Sequence, residues 1–219
     1  MRPAAVAAVE SLSAGFRLID LEGEALKGVA WILGQKIQVM LGGLLTARTY
    51  TPVSWDAALG RTRILAWSHG DGPGSAWASS LVEGDICQFF GPRRSIELEG
   101  EGPLVVFGDE TSFGLALALA ETGGAGGRDA VRGIEHRRGR AGAGTAGLAA
   151  SLVERVADDS HLATIERDLR DLAGEGATFV LTGRAAAIQR LNRALKAAGV
   201  GSSRLRAKAY WAPGKAGLD

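Results

Sequence analysis

The chain has 219 residues, room for one large domain or two small ones. Its 25 Lys and Arg nearly cancel 24 Asp and Glu, so it lacks the basic excess of a general nucleic-acid or membrane-surface binder. No run of roughly 18 apolar residues predicts a spanning helix, and a single cysteine, Cys87, excludes an internal disulfide and a cysteine-based metal site.

The first residues, Met1 to Ala5, carry no long apolar run ahead of a cleavage site, and Glu10 interrupts the alanine-rich stretch after them. A cytoplasmic protein is expected. Residues 4–100 read as β-rich. Phe16 to Leu21 and Lys36 to Leu41 alternate polar and apolar residues, as half-buried strands do. Leu44 to Pro52 reads as the next strand, with Gly42-Gly43 before it. On it, Arg48 and Tyr50 share a face, and Thr51 falls at the strand's end. A guanidinium matches pyrophosphate oxygens, a tyrosine ring stacks on a flat heterocycle, and a hydroxyl can donate to a ring nitrogen. Together these groups suit the two ends of a flavin dinucleotide. An exposed arginine and a half-buried tyrosine on an ordinary strand fit the same residues.

Arg61 to Trp67 and Ile86 to Phe90 complete the strand series, the second carrying Cys87 as a buried, inert thiol. Short strands spaced by Gly, Pro and Asp predict a small antiparallel barrel. Between these two strands, His69 to Ser75 is a glycine-rich turn opening a helix near Ser75. Such a turn can receive phosphate on free backbone N–H groups. It can equally be a plain loop with Ser75 as N-cap.

Leu98 to Pro103 reads as a linker, which divides the chain into domains at 1–100 and 101–219. Leu104 to Gly108 is a short apolar run suited to a buried parallel strand, followed by a helix from Phe113 to Ala120. Phe179 to Gly183 and a helix from Ala185 to Ala198 repeat the pattern, and Leu205 to Trp211 makes a last strand. Strands alternating with helices predict a parallel α/β layer, with ligands at the strands' carboxyl ends, where Gly108 and Gly183 lie. The segment from Gly123 to Gly147 reads as a solvated loop containing the basic run His136 to Arg140, with a short strand over Val131 to Ile134. Between Glu154 and Asp171 lies a carboxylate-rich helix. No paired carboxylates, Ser-His-Asp arrangement or metal-ligand spacing is evident, and His69, His136 and His161 are far apart.

Taken in order, the motifs resemble the siderophore-interacting proteins, a ferredoxin-reductase-like family of FAD-dependent ferric-siderophore reductases. They are Arg48-Thr49-Tyr50-Thr51, His69 with Gly74-Ser75-Ala76-Trp77-Ala78, Gly91-Pro92-Arg93, Gly108-Asp109-Glu110-Thr111 and Tyr210-Trp211. The resemblance runs from about residue 15 to the end. It implies an antiparallel FAD-binding β-barrel followed by a parallel α/β domain that receives NADPH or NADH. It implies that Arg48, Thr49, Tyr50, Thr51, His69, Gly74, Ser75, Ala76, Trp77, Thr111 and Trp211 contact FAD. It further implies that Gly108, Asp109, Glu110, Gly183 and Arg184 meet the nicotinamide nucleotide. The expected activity moves electrons from a nicotinamide to FAD and on to the iron of a ferric siderophore, with no catalytic side chain beyond the flavin and no protein-held metal. A monomer that neither binds nucleic acid nor enters a membrane is expected. Two other readings stay open: a flavin or electron-transfer reductase with a different acceptor, and a flavin-binding module without turnover.

The chain departs from the family pattern in three places. Pro52-Val53-Ser54-Trp55 stands where a Val-Arg pair usually follows the first motif. Gly183-Arg184-Ala185 replaces Gly-Glu-Ala, reversing a charge at the expected nucleotide site, where Arg184 is suited to the 2′-phosphate of NADPH. The segment from Gly123 to Gly147 is poorer in strand pattern than the family leads one to expect.

Overall fold

Alternation of buried and exposed positions builds the first half of the molecule. The computed structural model describes residues 1–13, 15–42, 46–98, 103–123, 131–136 and 151–215. Seven strands form one sheet: β1 (Arg2–Ser13), β2 (Phe16–Glu22), β3 (Lys36–Met40), β4 (Ala47–Tyr50), β5 (Pro52–Asp56), β6 (Arg61–Trp67) and β7 (Ile86–Arg93). Their order is β4-β3-β7-β1-β2-β6-β5, and neighbours run antiparallel. The edge strands β4 and β5 are consecutive in the chain and separated by Thr51 alone. The sheet therefore curls until its two edges meet, as a barrel does. Ile19, Leu21, Ile37, Val39, Ile64 and Phe89 point inward from alternate positions and are fully buried. Each contributes roughly 1.5–3 kcal/mol by leaving water.

Two strands depart from the sequence reading. β1 is the middle strand of the sheet, yet its alanine-rich stretch carries little β-propensity; pairing on both sides with β2 and β7 holds it. The expected single strand from Leu44 to Pro52 is β4 and then β5, with 43–45 outside the described residues. Pro52 begins β5, a position that tolerates the missing N–H because β5 pairs only with β6.

The helix α1 (Pro73–Ser80) follows β6. Its N-cap is Gly72 with Pro73 at the first helical position, so Ser75 is not the cap. Arg17 on β2 donates to the carbonyl oxygens of Ala78 and Leu81 at the far end of this helix and so fixes its direction.

The second half is a parallel sheet of β8 (Leu104–Gly108), β9 (Val131–His136), β10 (Leu152–Glu154), β11 (Thr178–Arg184) and β12 (Leu205–Trp211) in the order β10-β9-β8-β11-β12. Helices α2 (Phe113–Gly123), α3 (Leu162–Gly174) and α4 (Ala185–Ala197) connect it. Along β11, Phe179 and Leu181 face α3 and α4, where Leu162, Ile165, Leu169, Ile188, Leu191 and Leu195 close the core. Val180 faces the other way, toward Leu115 and Leu119 of α2. The carboxylate-rich helix expected between Glu154 and Asp171 is α3, which begins at Leu162, and β10 precedes it.

Helix α2 is apolar on nearly every side because it is covered twice. Leu115 and Leu119 lie on the parallel sheet, while Phe113, Ala116 and Leu117 pack against Phe16 and Val53 of the barrel. This shared helix joins the two halves and brings the start of the α/β domain against β5 and β6, with Gly114 close to the carbonyl of Thr51. The architecture is the expected antiparallel barrel followed by a parallel α/β domain. The junction at 100/101, most of the expected linker, and nearly all of the Gly123–Gly147 loop outside β9 lie outside the described residues.

Candidate functional site

The barrel contributes one wall of a cleft through β4 and the end of β6. Ala47, Arg48, Thr49, Tyr50 and Thr51 line it together with Leu65, Trp67 and His69. The cleft has a lobe of about 390 Å³ and a second of about 230 Å³, which share Arg48, Thr49, Tyr50, Leu65, Trp67, His69 and Thr111 in their lining. Its size is that of a small-molecule site. Gly72, Gly74 and Ser75 at the start of α1 line the smaller lobe.

Arg48 crosses close over Gly74. A β-carbon at Gly74 would stand 3.1 Å from Arg48 Cγ, so the bare backbone makes room for the guanidinium stem. Among the described residues, Arg48 Nη1 donates only to the carbonyl of its neighbour Ala47, at 2.8 Å. Tyr50 leans on Trp77, with ring centroids 5.5 Å apart and planes 38° apart. Burial pushes the Tyr50 phenol well above its ordinary value, and the Arg48 charge only partly opposes this. His69 stacks on Trp67 with centroids 3.8 Å apart. Ser75 closes the turn beneath it: its Oγ accepts from His69 N at 2.8 Å and donates to His69 O at 2.7 Å. The Ser75 hydroxyl thus shapes the loop. Trp77 backs Tyr50 and packs on the barrel core, and Ala76 is exposed; neither lines the cleft.

The α/β domain contributes the facing wall: Thr111, Gly114, Lys208, Tyr210, Trp211, Ala212 and Lys215. Tyr210 and Trp211 are adjacent in β12, and adjacent strand residues normally face opposite sides. The register with β11 shifts between Gly183 and Arg184, pairing Ala209 with Gly183 and Trp211 with Arg184. This bulge turns both aromatic side chains into the cleft. Among the described residues, Tyr210 Oη is buried without a hydrogen bond of full geometry. Burial raises its pKa to about 12, with the Thr51 hydroxyl opposing the rise. Thr51 is therefore no loose strand end: it joins the two barrel edges and faces Tyr210.

The polar residues expected at the nucleotide site are engaged by other side chains of the protein. Asp109 and Glu110 are 1% and 2% exposed. Asp109 accepts from Trp211 Nε1 at 2.7 Å and from Thr111 N at 2.9 Å. Burial raises its pKa, and the bonds from Thr111 and Trp211 counter part of that. Glu110 is paired with Arg155. A β-carbon at Gly108 would collide with Ser112 Cβ at 2.3 Å. Gly183 has φ +102°, and a β-carbon there would fall 2.5 Å from Asp109 Oδ2. Arg184 is paired with Asp159, its side chain only 13% exposed.

The sequence reading passed over Trp67, Leu65, Lys36, Lys208, Lys215 and the cleft position of Tyr210. Trp67 stands two residues before His69 at a strand end, a spacing that places both on one face. No local pattern marks the lysines, which converge from β3, β12 and the residues after it. With Arg48 they leave the larger lobe lined by cationic, hydroxyl and apolar groups and by no carboxylate among the described residues, whereas Glu110 lines the smaller lobe. No cluster of His, Cys, Asp and Glu able to hold a metal occurs among the described residues. An elongated cleft with aromatic walls and a guanidinium at its waist fits FAD.

The family model of the siderophore-interacting FAD-binding domain matches residues 42–96, the segment that contains Arg48, Tyr50, His69 and Gly74. No curated protein matches the sequence. Among solved structures, the chain resembles a siderophore utilization protein from T. fusca at 22% identity, with a TM-score of 0.76, covering 100% of this chain and 95% of that one. It resembles the siderophore-interacting protein SipS from Aeromonas hydrophila at 20% identity and a TM-score of 0.79, covering 98% and 93% of the two chains. A ferredoxin reductase in carbazole 1,9a-dioxygenase is similar at 17% identity and a TM-score of 0.75, covering 95% of this chain and 68% of the other. These likenesses show a shared fold, and residues 42–96 match the model of the siderophore-interacting FAD-binding domain.

Proposed function

We propose that this protein is an FAD-dependent NAD(P)H oxidoreductase that reduces ferric siderophores and releases their iron as Fe(II), acting as a cytoplasmic monomer. The observation that carries the reading is the cleft built on the matched segment, with Arg48 at its waist and Lys36, Lys208 and Lys215 along its larger lobe. When bound, FAD supplies electron exchange with both a nicotinamide and iron. Arg48 pairs with the pyrophosphate, and Gly74 keeps its path clear. Tyr50, backed by Trp77, lies against the isoalloxazine, and Thr51 and Thr49 bond to polar atoms of the cofactor. His69, steadied by Trp67, and the turn closed by Ser75 hold the remainder. The lysines draw an anionic chelate toward the flavin, an attraction that salt weakens. NADPH or NADH is the donor. No side chain acts as acid or nucleophile.

The test is anaerobic oxidation of NADPH or NADH by the purified, FAD-loaded protein with a ferric siderophore, trapping Fe(II) with a colorimetric chelator. Fe(II) formation that needs protein, nucleotide and siderophore together supports the reading. Nucleotide oxidation with other acceptors alone would make the protein a general flavin reductase, and bound flavin without turnover would make it a binding module. Lys208→Glu should raise KM for an anionic chelate by about tenfold, as expected from exchanging an attraction for a repulsion close to the substrate.

A further inference from the structure

We infer that Asp109 and Glu110 are the mounting of Trp211, holding its indole as a fixed wall of the flavin cleft, and that neither carboxylate is a ligand of the nicotinamide nucleotide. The flavin half of this inference rests on the cleft being the FAD site. Two adjacent buried carboxylates are costly unless each is satisfied inside the protein. Both are, and both lead to the same side chain. Asp109 Oδ2 takes the indole N–H of Trp211 at 2.7 Å, while Oδ1 takes the backbone and hydroxyl of Thr111. Glu110 pairs with Arg155, whose guanidinium lies over the Trp211 ring, 5.9 Å from its centroid. The indole is thereby gripped at its edge by Asp109 and on its face by Arg155.

The backbone is shaped for this arrangement. The carboxylate of Asp109 occupies the space that a β-carbon at residue 183 would need. The shift in register beside it sets Trp211 opposite Arg184 and turns it into the cleft. Thr111, which donates twice to Asp109, itself lines both lobes, so the mount and the cleft wall are one hydrogen-bonded unit. A nucleotide phosphate brought to this place would meet two carboxylates already satisfied by the protein.

Hydrogen exchange at indole N–H groups tests the mount without any cofactor. In isotope-labelled apo-protein, the Trp211 indole resonance, assigned by its loss in Trp211→Phe, should exchange slowly. Asp109→Asn should speed that exchange at least about tenfold, the loss expected of a hydrogen bond to a charged group. In the FAD-loaded protein, Asp109→Asn and Trp211→Phe should each raise the emission of bound flavin. The double variant should go no further than the larger single effect, because both changes act through one indole. Rapid exchange in the parent, or exchange unchanged in Asp109→Asn, would overturn the inference. So would a KM for NADPH or NADH raised by Asp109→Asn and left untouched by Trp211→Phe. If the chain bound no FAD, the flavin reading would fall, while the exchange measurement would still decide the mount.

Discussion

The barrel wall of the cleft and the carboxyl end of the parallel sheet carry the same kind of sequence signal, a glycine beside polar side chains, and come to opposite ends. At the barrel, Gly74 makes room for Arg48, whose only hydrogen bond among the described residues is to its own neighbour. At the sheet, Gly183 makes room for Asp109, whose oxygens are consumed by Trp211 and Thr111. The first glycine serves a group that has bonding capacity left for a ligand. The second serves a buried group that already accepts three hydrogen bonds from the protein. Each glycine thus reports a close approach, and only the partner on the other side tells whether the group that approaches is left for a ligand or used by the protein.

Substitution at the sheet's glycine should give the largest effect. Gly183→Ala forces a β-carbon into a left-handed backbone position and onto a buried carboxylate, and should cost roughly 3–4 kcal/mol of stability. Urea unfolding of the apo-protein measures it, and a change under about 1 kcal/mol would mean that the carboxyl end is looser than described. On the barrel side, Arg48→Ala should weaken FAD binding by about one to two decades, since charge-assisted bonds to phosphate contribute roughly 1.5–3 kcal/mol. Fluorescence titration with FAD checks this, and an unchanged dissociation constant would leave the barrel arginine without a ligand.

Arg184→Ala sharpens the comparison further. If Arg184 is engaged by Asp159, the substitution should lower stability by about 1 kcal/mol, a modest loss because Asp159 is part-exposed. The ratio of kcat/KM for NADPH to that for NADH should then stay at its parental value. A ratio that collapses through a raised KM for NADPH would instead make Arg184 the reader of the 2′-phosphate. The smallest effect is expected at Gly74→Ala. Alanine favours the helix by about 0.5 kcal/mol or more, but its methyl group presses Arg48 from 3.1 Å. Stability should hold or rise slightly while FAD affinity falls a few-fold, and an affinity equal to the parent's would show that Arg48 has room to spare.

By itself, the sequence determined what depends on neighbours along the chain. Two-residue alternation marked β2 and β3 and, more loosely, β6, and apolar runs between glycines marked β8 and β11, because burial on one face or both writes itself into local periodicity. Arg48 and Tyr50 stood out because strand spacing and chemical type are local properties as well, while His69 drew notice through the family resemblance. The tertiary structure alone decided the rest. β1 became a central strand through its pairing with β2 and β7, with little help from its alanines. Tyr210 and Trp211 entered the cleft together through a register shift defined by another strand. Asp109 found its indole 102 residues away, and Arg155 came from a loop between to cover the same ring. Periodicity records which side of an element is buried; it does not record which distant group fills the space beside it, and that contact decides whether a polar residue is left for a ligand.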